Sequence, residues 1–196
     1  MPTIRNFAPY VGQHCETTAS GCLLKHHGVD LSEPMLFGLG EGLGFIFLKL
    51  ETLPLPFVGG RNKPFELTKN LCRNLDLRLS TSETSSHSKA WQQLEGSLAN
   101  GEPVGLQLDS YHLEYFSHPV HFAGHCVAAY AVDERDVWLV DTKSQGSRQK
   151  TSRASVEHAR FAKGPMAAKA RMWTIGRGPY DLRKAALSAI HNNANA

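Results

Sequence analysis

Cys15 stands in the stretch GQHCETTASG, residues 12–21, between a histidine and a run of small hydroxyl-bearing residues. A cysteine in that setting is either a buried thiol that opens a helix or a nucleophile. At a helix start, unpaired N–H groups and the positive dipole end favour the thiolate, which is the reactive form. A nucleophilic cysteine also needs a base within hydrogen-bond reach and a third group to orient that base. The stretch SYHLEYFSHPVHFAGHCVAAYAVDERDVWLVDT, residues 110–142, offers both. His125 opens an apolar strand, and Asp141 ends the strand expected to pair with it. A hairpin returns those two ends to the same side. With a two-residue turn, however, Asp141 faces Ala128, and His125 lies further along on the opposite face. Strand twist or a bulge must then bring the pair together.

Other residues compete for roles. His121 is the alternative base. Acyl chemistry needs an oxyanion site, for which the backbone N–H of Cys15 is the obvious donor and the side-chain amide of Gln13 a second. His14 is placed to position the loop or touch substrate, and Asp109 either lines the cleft or caps a turn. His112, His118, His121 and His125 invite a metal reading, but the spacing matches no HExxH pattern and no cysteine pair stands nearby. No metal site is expected.

These residues need elements to hold them. CETTASGCLLKHHG reads as a helix with Ala19, Cys22, Leu23 and His26 on one buried stripe, and with Gly28 as its left-handed terminator. Gly21, in mid-helix, implies close packing against another element. LSEPML starts a second helix with Ser32 as N-cap and Pro34 in the first turn. GLGEGLGFIF is unlike GxGxxG, and its glycines suggest a tight turn. Residues 63–74 read as a helix, LDLRLS as a short strand, TSETSSHS as a surface loop and SKAWQQLEGSLANG as an amphipathic helix. Three strands follow in PVGLQLD, HCVAAYAVD and VWLVD, the last two a hairpin. SQGSRQKTSR reads as a polar loop, ASVEHARFAKG as a helix, ARMWTIG as a strand and YDLRKAALSAI as a C-terminal helix with a frayed polar tail. Helix first and strands later indicates α+β.

A chain of 196 residues suits a single domain over 1–196, with about 178–196 forming the terminal helix and tail. Hydrophobic residues make up 41% and charged residues 20%, a globular balance. The net charge of +3 is mild and no basic–aromatic stacking motif is found, which argues against nucleic acid as a partner. The longest apolar stretch, LGFIFLKL, is too short for a membrane span. MPTIRNFAPY lacks a signal core, and four scattered cysteines form no disulfide scaffold, so a cytoplasmic protein with reduced thiols is expected.

HCETTASGCLLKHHGVDLSEPMLFGLGEGLGFIF, GEPVGLQLDSYHLEYF and HFAGHCVAAYAVDERDVWLVDT together resemble the N-terminal domain of the butirosin biosynthesis protein H family, with weaker similarity through SRASVEHARFAKG to about Trp173. That family is similar to the papain-like, C39-type cysteine peptidases. The resemblance implies an α+β papain-like fold, with the nucleophile at the start of a central helix packed on an antiparallel sheet. It implies Cys15 as nucleophile, His125 as base and Asp141 as orienting carboxylate. The implied activity moves an acyl group from an acyl carrier protein thioester, on phosphopantetheine, to an amine acceptor through an acyl-cysteine, with no bound cofactor. Carrier proteins are usually acidic, and the basic KARMWTIGRGPYDLRK could dock one. GLGFIF and LPLPF could wall an acyl chain. A peptidase or amidase with the same triad, and a non-catalytic module that binds an acyl group or partner, are the alternatives.

Overall fold

The structure, a computed structural model, describes residues 4–49, 56–61 and 63–195. Its first helix, α1 (Cys15–His26), begins and ends where local chemistry dictates. His14 is the N-cap in extended backbone and its ring accepts from Thr17 N, while Gly28 follows the helix with φ +85°. A left-handed residue at that point costs glycine nothing. Gly21 meets the packing expectation, since a Cβ there would lie 2.5 Å from the Tyr10 ring.

A six-stranded antiparallel sheet supports α1. It comprises β3 (Leu79–Ser82), β4 (Val104–Leu108), β5 (His125–Val132), β6 (Asp136–Val140), β7 (Arg148–Ser152) and β8 (Met172–Ile175), in the order β3-β8-β4-β5-β6-β7. Every residue of β4 and β5 is buried, so both sheet faces are covered. Helix α1 packs on β4, β5, β6 and β8, while α4 (His87–Ala99) and α5 (Arg153–Phe161) pack on the central strands and not chiefly on α1. They therefore cover the opposite face. Helices α2 (Glu33–Leu39), α3 (Glu66–Asn74) and α6 (Leu182–Ala194) gather beside α1, and β1 (Leu43–Leu48) pairs with β2 (Phe57–Arg61) as a separate ribbon.

Four local expectations need refinement. GLGEGLGFIF holds the expected turn at Gly40 and Glu41, where a Cβ on Gly40 would lie 2.9 Å from Leu67 O, but its first residues end α2 and its second half is strand β1. SQGSRQKTSR contains an edge strand, β7, which pairs with β6 from Val140↔Arg148 to Asp136↔Ser152. An edge strand can carry charge outward, and here Arg148 lies over the Tyr130 ring and Lys150 over Trp138. The first strand after α3 starts at Leu79, in the second half of LDLRLS, and runs into TSETSSHS. The polar tail HNNA continues α6 to Ala194. The basic segment KARMWTIGRGPYDLRK is divided between β8 and the start of α6, and Arg171 is held within it by Glu83 and the Gln107 side chain.

The hairpin of β5 and β6 carries the feature on which the site depends. Ala128 pairs with Val140 and Ala129 with Leu139, but Ala131 pairs with Trp138, leaving Tyr130 as an extra residue. This bulge shifts the register by one and carries Asp141 opposite Val127, on the same face as His125. The N-terminal segment holds the bulge in place. Ile4 N donates to Tyr130 O at 3.1 Å, and the Phe7 ring stacks on Tyr130 at 4.8 Å and 8°.

Candidate active site

Cys15 is the first residue of α1 and 8% exposed. Helix α1 lies across β5, and this packing brings Cys15 close enough to His125 and Cys126 for both to act on its thiol. His125 Nε2 lies 2.8 Å from Asp141 Oδ2, which leaves Nδ1 as the ring nitrogen for Cys15. Asp141 is fully buried, and its other oxygen accepts from Thr142 N at 2.6 Å. Tyr115 Oη donates to Asp141 Oδ2 at 2.8 Å, and the edge of Phe116 meets the His125 ring with centroids 5.4 Å apart. Two aromatic side chains of the β4–β5 connection thus fix the pair from outside the hairpin.

The electrostatics favour an ion pair. The contact from Cys126, with further help from the hydrogen bond and charge of His125 and the charge of His14, holds the Cys15 thiol well below its usual range against the opposing effect of burial. Burial disfavours a charged His125, but its hydrogen bonds to Asp141 and Cys15 and their charges outweigh that and raise it to about 10. Thiolate and imidazolium therefore coexist across a broad window at neutral pH. Burial pushes Cys22 and Cys72 up to about 12, so they stay protonated there.

This difference sets a pH prediction. Alkylation of Cys15 by iodoacetamide is expected to hold its rate into mildly acidic pH, because a lowered thiol ionises early, while Cys22 and Cys72 stay unmodified. An ordinary thiol would lose reactivity below about 8.5. On the alkaline side, turnover should fall as pH passes about 10, where His125 loses its proton. Peptide mapping of alkylation against pH checks the first limb, and a Cys15 midpoint near that of a free thiol would contradict it.

The loop before Cys15 is tied to α2. The Glu33 carboxylate accepts from Gln13 N at 2.9 and 2.8 Å, from His14 N at 2.8 Å and from Thr17 Oγ1 at 2.7 Å. Burial pushes Glu33 up, but these donors outweigh it and hold the carboxyl below its usual range. Gln13 is exposed, and His14 meets Phe37 edge-on with centroids 5.4 Å apart. On the other side, buried Glu16 accepts from Phe65 N at 3.0 Å, Thr68 N at 2.8 Å and Thr68 Oγ1 at 2.9 Å, which ties α1 to α3. Phe65 sits at φ 74°, a strained conformation for a bulky residue, at the point where Glu16 captures its amide.

The structure thus brings Cys15, His125 and Asp141 together, and keeps Gln13 and His14 on the loop that enters α1. It gathers Asp109 and His121 elsewhere. Asp109 Oδ2 lies 2.9 Å from His121 Nδ1, and Asp109 Oδ1 accepts from Tyr111 N and Phe122 N. Among the described residues, neither makes a hydrogen bond to Cys15, His125 or Asp141. Sequence reasoning missed Tyr115, Glu33 and Cys126. Only Cys126 carried a local signal, as the neighbour of the candidate base. Of the apolar segments suggested for an acyl chain, Phe45 and Phe47 are exposed on β1, whereas residues 53–55 lie outside the described residues.

A helix headed by a cysteine, crossing an antiparallel sheet that carries a histidine–aspartate pair, defines the papain-like fold of C39-type peptidases. A crystal structure from Bacillus anthracis, described as a candidate C39-like peptidase, matches with a TM-score of 0.60 at 15% identity, over 90% of this chain and 98% of the other. The family model of butirosin biosynthesis protein H, N-terminal, matches residues 14–142, and the chain belongs to that family. Among curated proteins, no match was found. Among the described residues, no helix is long and apolar enough to cross a membrane.

Proposed function

We propose that the protein is a cysteine-dependent acyltransferase that takes an acyl group from a phosphopantetheine thioester on an acidic carrier protein and delivers it to a small amine. The observation that carries this reading is the Cys15–His125–Asp141 arrangement in a chain of a biosynthetic family. The Cys15 thiolate attacks the thioester carbonyl, and the oxyanion develops beside the N-terminal amides of α1, which lack intrahelical acceptors. The Gln13 side chain is the second candidate donor. Collapse of the tetrahedral adduct breaks the bond to the pantetheine sulfur, and the His125 imidazolium protonates that departing thiolate. Neutral His125 then takes a proton from the amine as its nitrogen attacks the acyl-cysteine carbonyl. The C–S bond to Cys15 breaks, and the thiolate–imidazolium pair is restored. The sum is thioester plus amine giving amide plus thiol.

Asp141 and Tyr115 keep the imidazole oriented through both halves of the reaction. Nothing in this sequence of steps requires a bound cofactor beyond the donor's own pantetheine arm. A cytoplasmic setting fits four free thiols, all buried, and a donor made inside the cell.

The fold of a candidate C39-like peptidase favours a second reading, hydrolysis of a peptide or amide bond by the same three residues. Product analysis separates the two. With an acyl-carrier or acyl-pantetheine thioester and a panel of amines, transfer predicts amide product rising with amine concentration at the expense of free acid, and a lower KM for the carrier-bound donor. Free acid alone, unaffected by amine, together with cleavage of peptide substrates, would overturn transfer in favour of hydrolysis.

A further inference from the structure

Asp109, which directly follows β4, and His112 and His121, which the next turns supply, form a cluster separate from Cys15. One ligand atom from each lies within 4.8 Å of the others. Asp109 is 2% exposed, and its Oδ1 is fixed by Tyr111 N at 3.1 Å and Phe122 N at 2.8 Å. That leaves Oδ2 facing His121 Nδ1 at 2.9 Å. The Tyr111 ring braces both imidazoles, of which His112 is half-buried and His121 exposed. The Tyr111 ring stacks on His121 at 3.9 Å and 18° and meets His112 at 87°, while Ser155 Oγ donates to the His112 carbonyl at 2.7 Å.

We propose that Asp109, His112 and His121 form a binding site for a divalent transition-metal ion, of which zinc suits the ligands best. Two imidazoles and one carboxylate, with a fourth position for water, are a recurrent zinc set. The backbone amides on Asp109 Oδ1 supply the outer hydrogen bonds that orient a ligating carboxylate. Among the described residues, the other three-residue group of possible ligands, His26, His27 and Glu102, is less suited, because the Arg177 guanidinium donates to His27 Nδ1 at 3.2 Å and already occupies one of its ligating nitrogens.

The position gives such an ion a consequence. Asp109 and His121 sit at the neck of the connection between β4 and β5, where Ser110 N donates to Phe122 O and Ser110 Oγ to Val120 O. Between the two lie Tyr115, which holds Asp141, and Phe116, which contacts His125. An ion held between Asp109 and His121 closes this neck and steadies the loop that orients the catalytic pair.

The test uses the Cys15→Ala protein, because a thiolate beside an imidazole is itself a zinc trap. Zinc is titrated against a chromophoric chelator, and cobalt(II) is followed by absorbance. The expected result is one equivalent bound, weakened in His112→Ala and in His121→Ala by more than the roughly 10- to 100-fold that loss of a ligand's outer partner brings, and unchanged in His118→Ala. The cobalt spectrum should show nitrogen and oxygen ligation without a thiolate charge-transfer band. Melting of each metal-free variant confirms that it folds, since His112 and His121 are not buried. Absence of stoichiometric binding, binding indifferent to both histidine changes, or a thiolate band would each overturn the proposal.

Discussion

Cys15→Ala is expected to reduce thioester turnover by about four to six orders of magnitude, the loss seen when a covalent nucleophile is removed from a working triad. No other thiol can substitute. Burial pushes Cys22 and Cys72 up to about 12, so neither supplies thiolate near neutrality. Cys126 touches Cys15 but is fully buried, and the small residue left at position 15 would not expose it to a substrate carbonyl. Cys15→Ser should be nearly as inactive despite its similar shape, because the same surroundings cannot bring an alcohol within reach of ionisation at neutral pH. Steady-state release of pantetheine thiol measures both variants. Residual activity above about one per cent in Cys15→Ala would mean that another group performs the chemistry.

The second large effect falls on Asp141. In the native site its Oδ2 receives both His125 and Tyr115, and its Oδ1 receives Thr142 N, all in a fully buried setting. Asp141→Ala strands these three donors without a partner, and removing one member of a buried charged pair typically costs about 3–5 kcal/mol. The protein is expected to melt at a markedly lower temperature. Asp141→Asn separates catalysis from stability because it keeps the shape. Its amide nitrogen, placed where Oδ2 was, donates to His125 Nε2 and turns Nδ1–H toward Cys15, the wrong tautomer for accepting a proton. A loss of about 10²–10⁴ in turnover follows, with most of the stability retained. Without the carboxylate, His125 also titrates lower, so the alkaline limb of activity moves down from about 10. Wild-type rates in a folded Asp141→Asn protein would remove Asp141 from the mechanism.

Local chemistry made much of this architecture readable. Helix α1 was legible from its apolar spacing and the Gly28 terminator, although residues 15–24 are buried all round, not along one stripe, and His26 is only half-buried; β4, β5 and β6 were legible as apolar runs separated by turn residues. Edge strand β7 was not, since RQKTS has neither apolar run nor alternation and owes its form to pairing with β6. The difficulty at the site was the register. Two-residue pairing set His125 and Asp141 on opposite faces, and the bulge at Tyr130 that aligns them depends on Ile4, Phe7 and Arg148, remote in the chain. Tyr115 and Glu33 escaped notice for the same reason. Each acts on residues far away in sequence, and nothing in its own neighbourhood marks it.

The most direct measurement is intact mass after the protein meets an acyl-pantetheine thioester in the absence of amine. Attack by Cys15 predicts one added acyl group on the wild-type protein, none on Cys15→Ala, and discharge of the adduct when an amine acceptor is supplied. An unchanged mass with no thioester consumed, from a protein whose Cys15 still alkylates rapidly, would contradict acyl transfer through this cysteine.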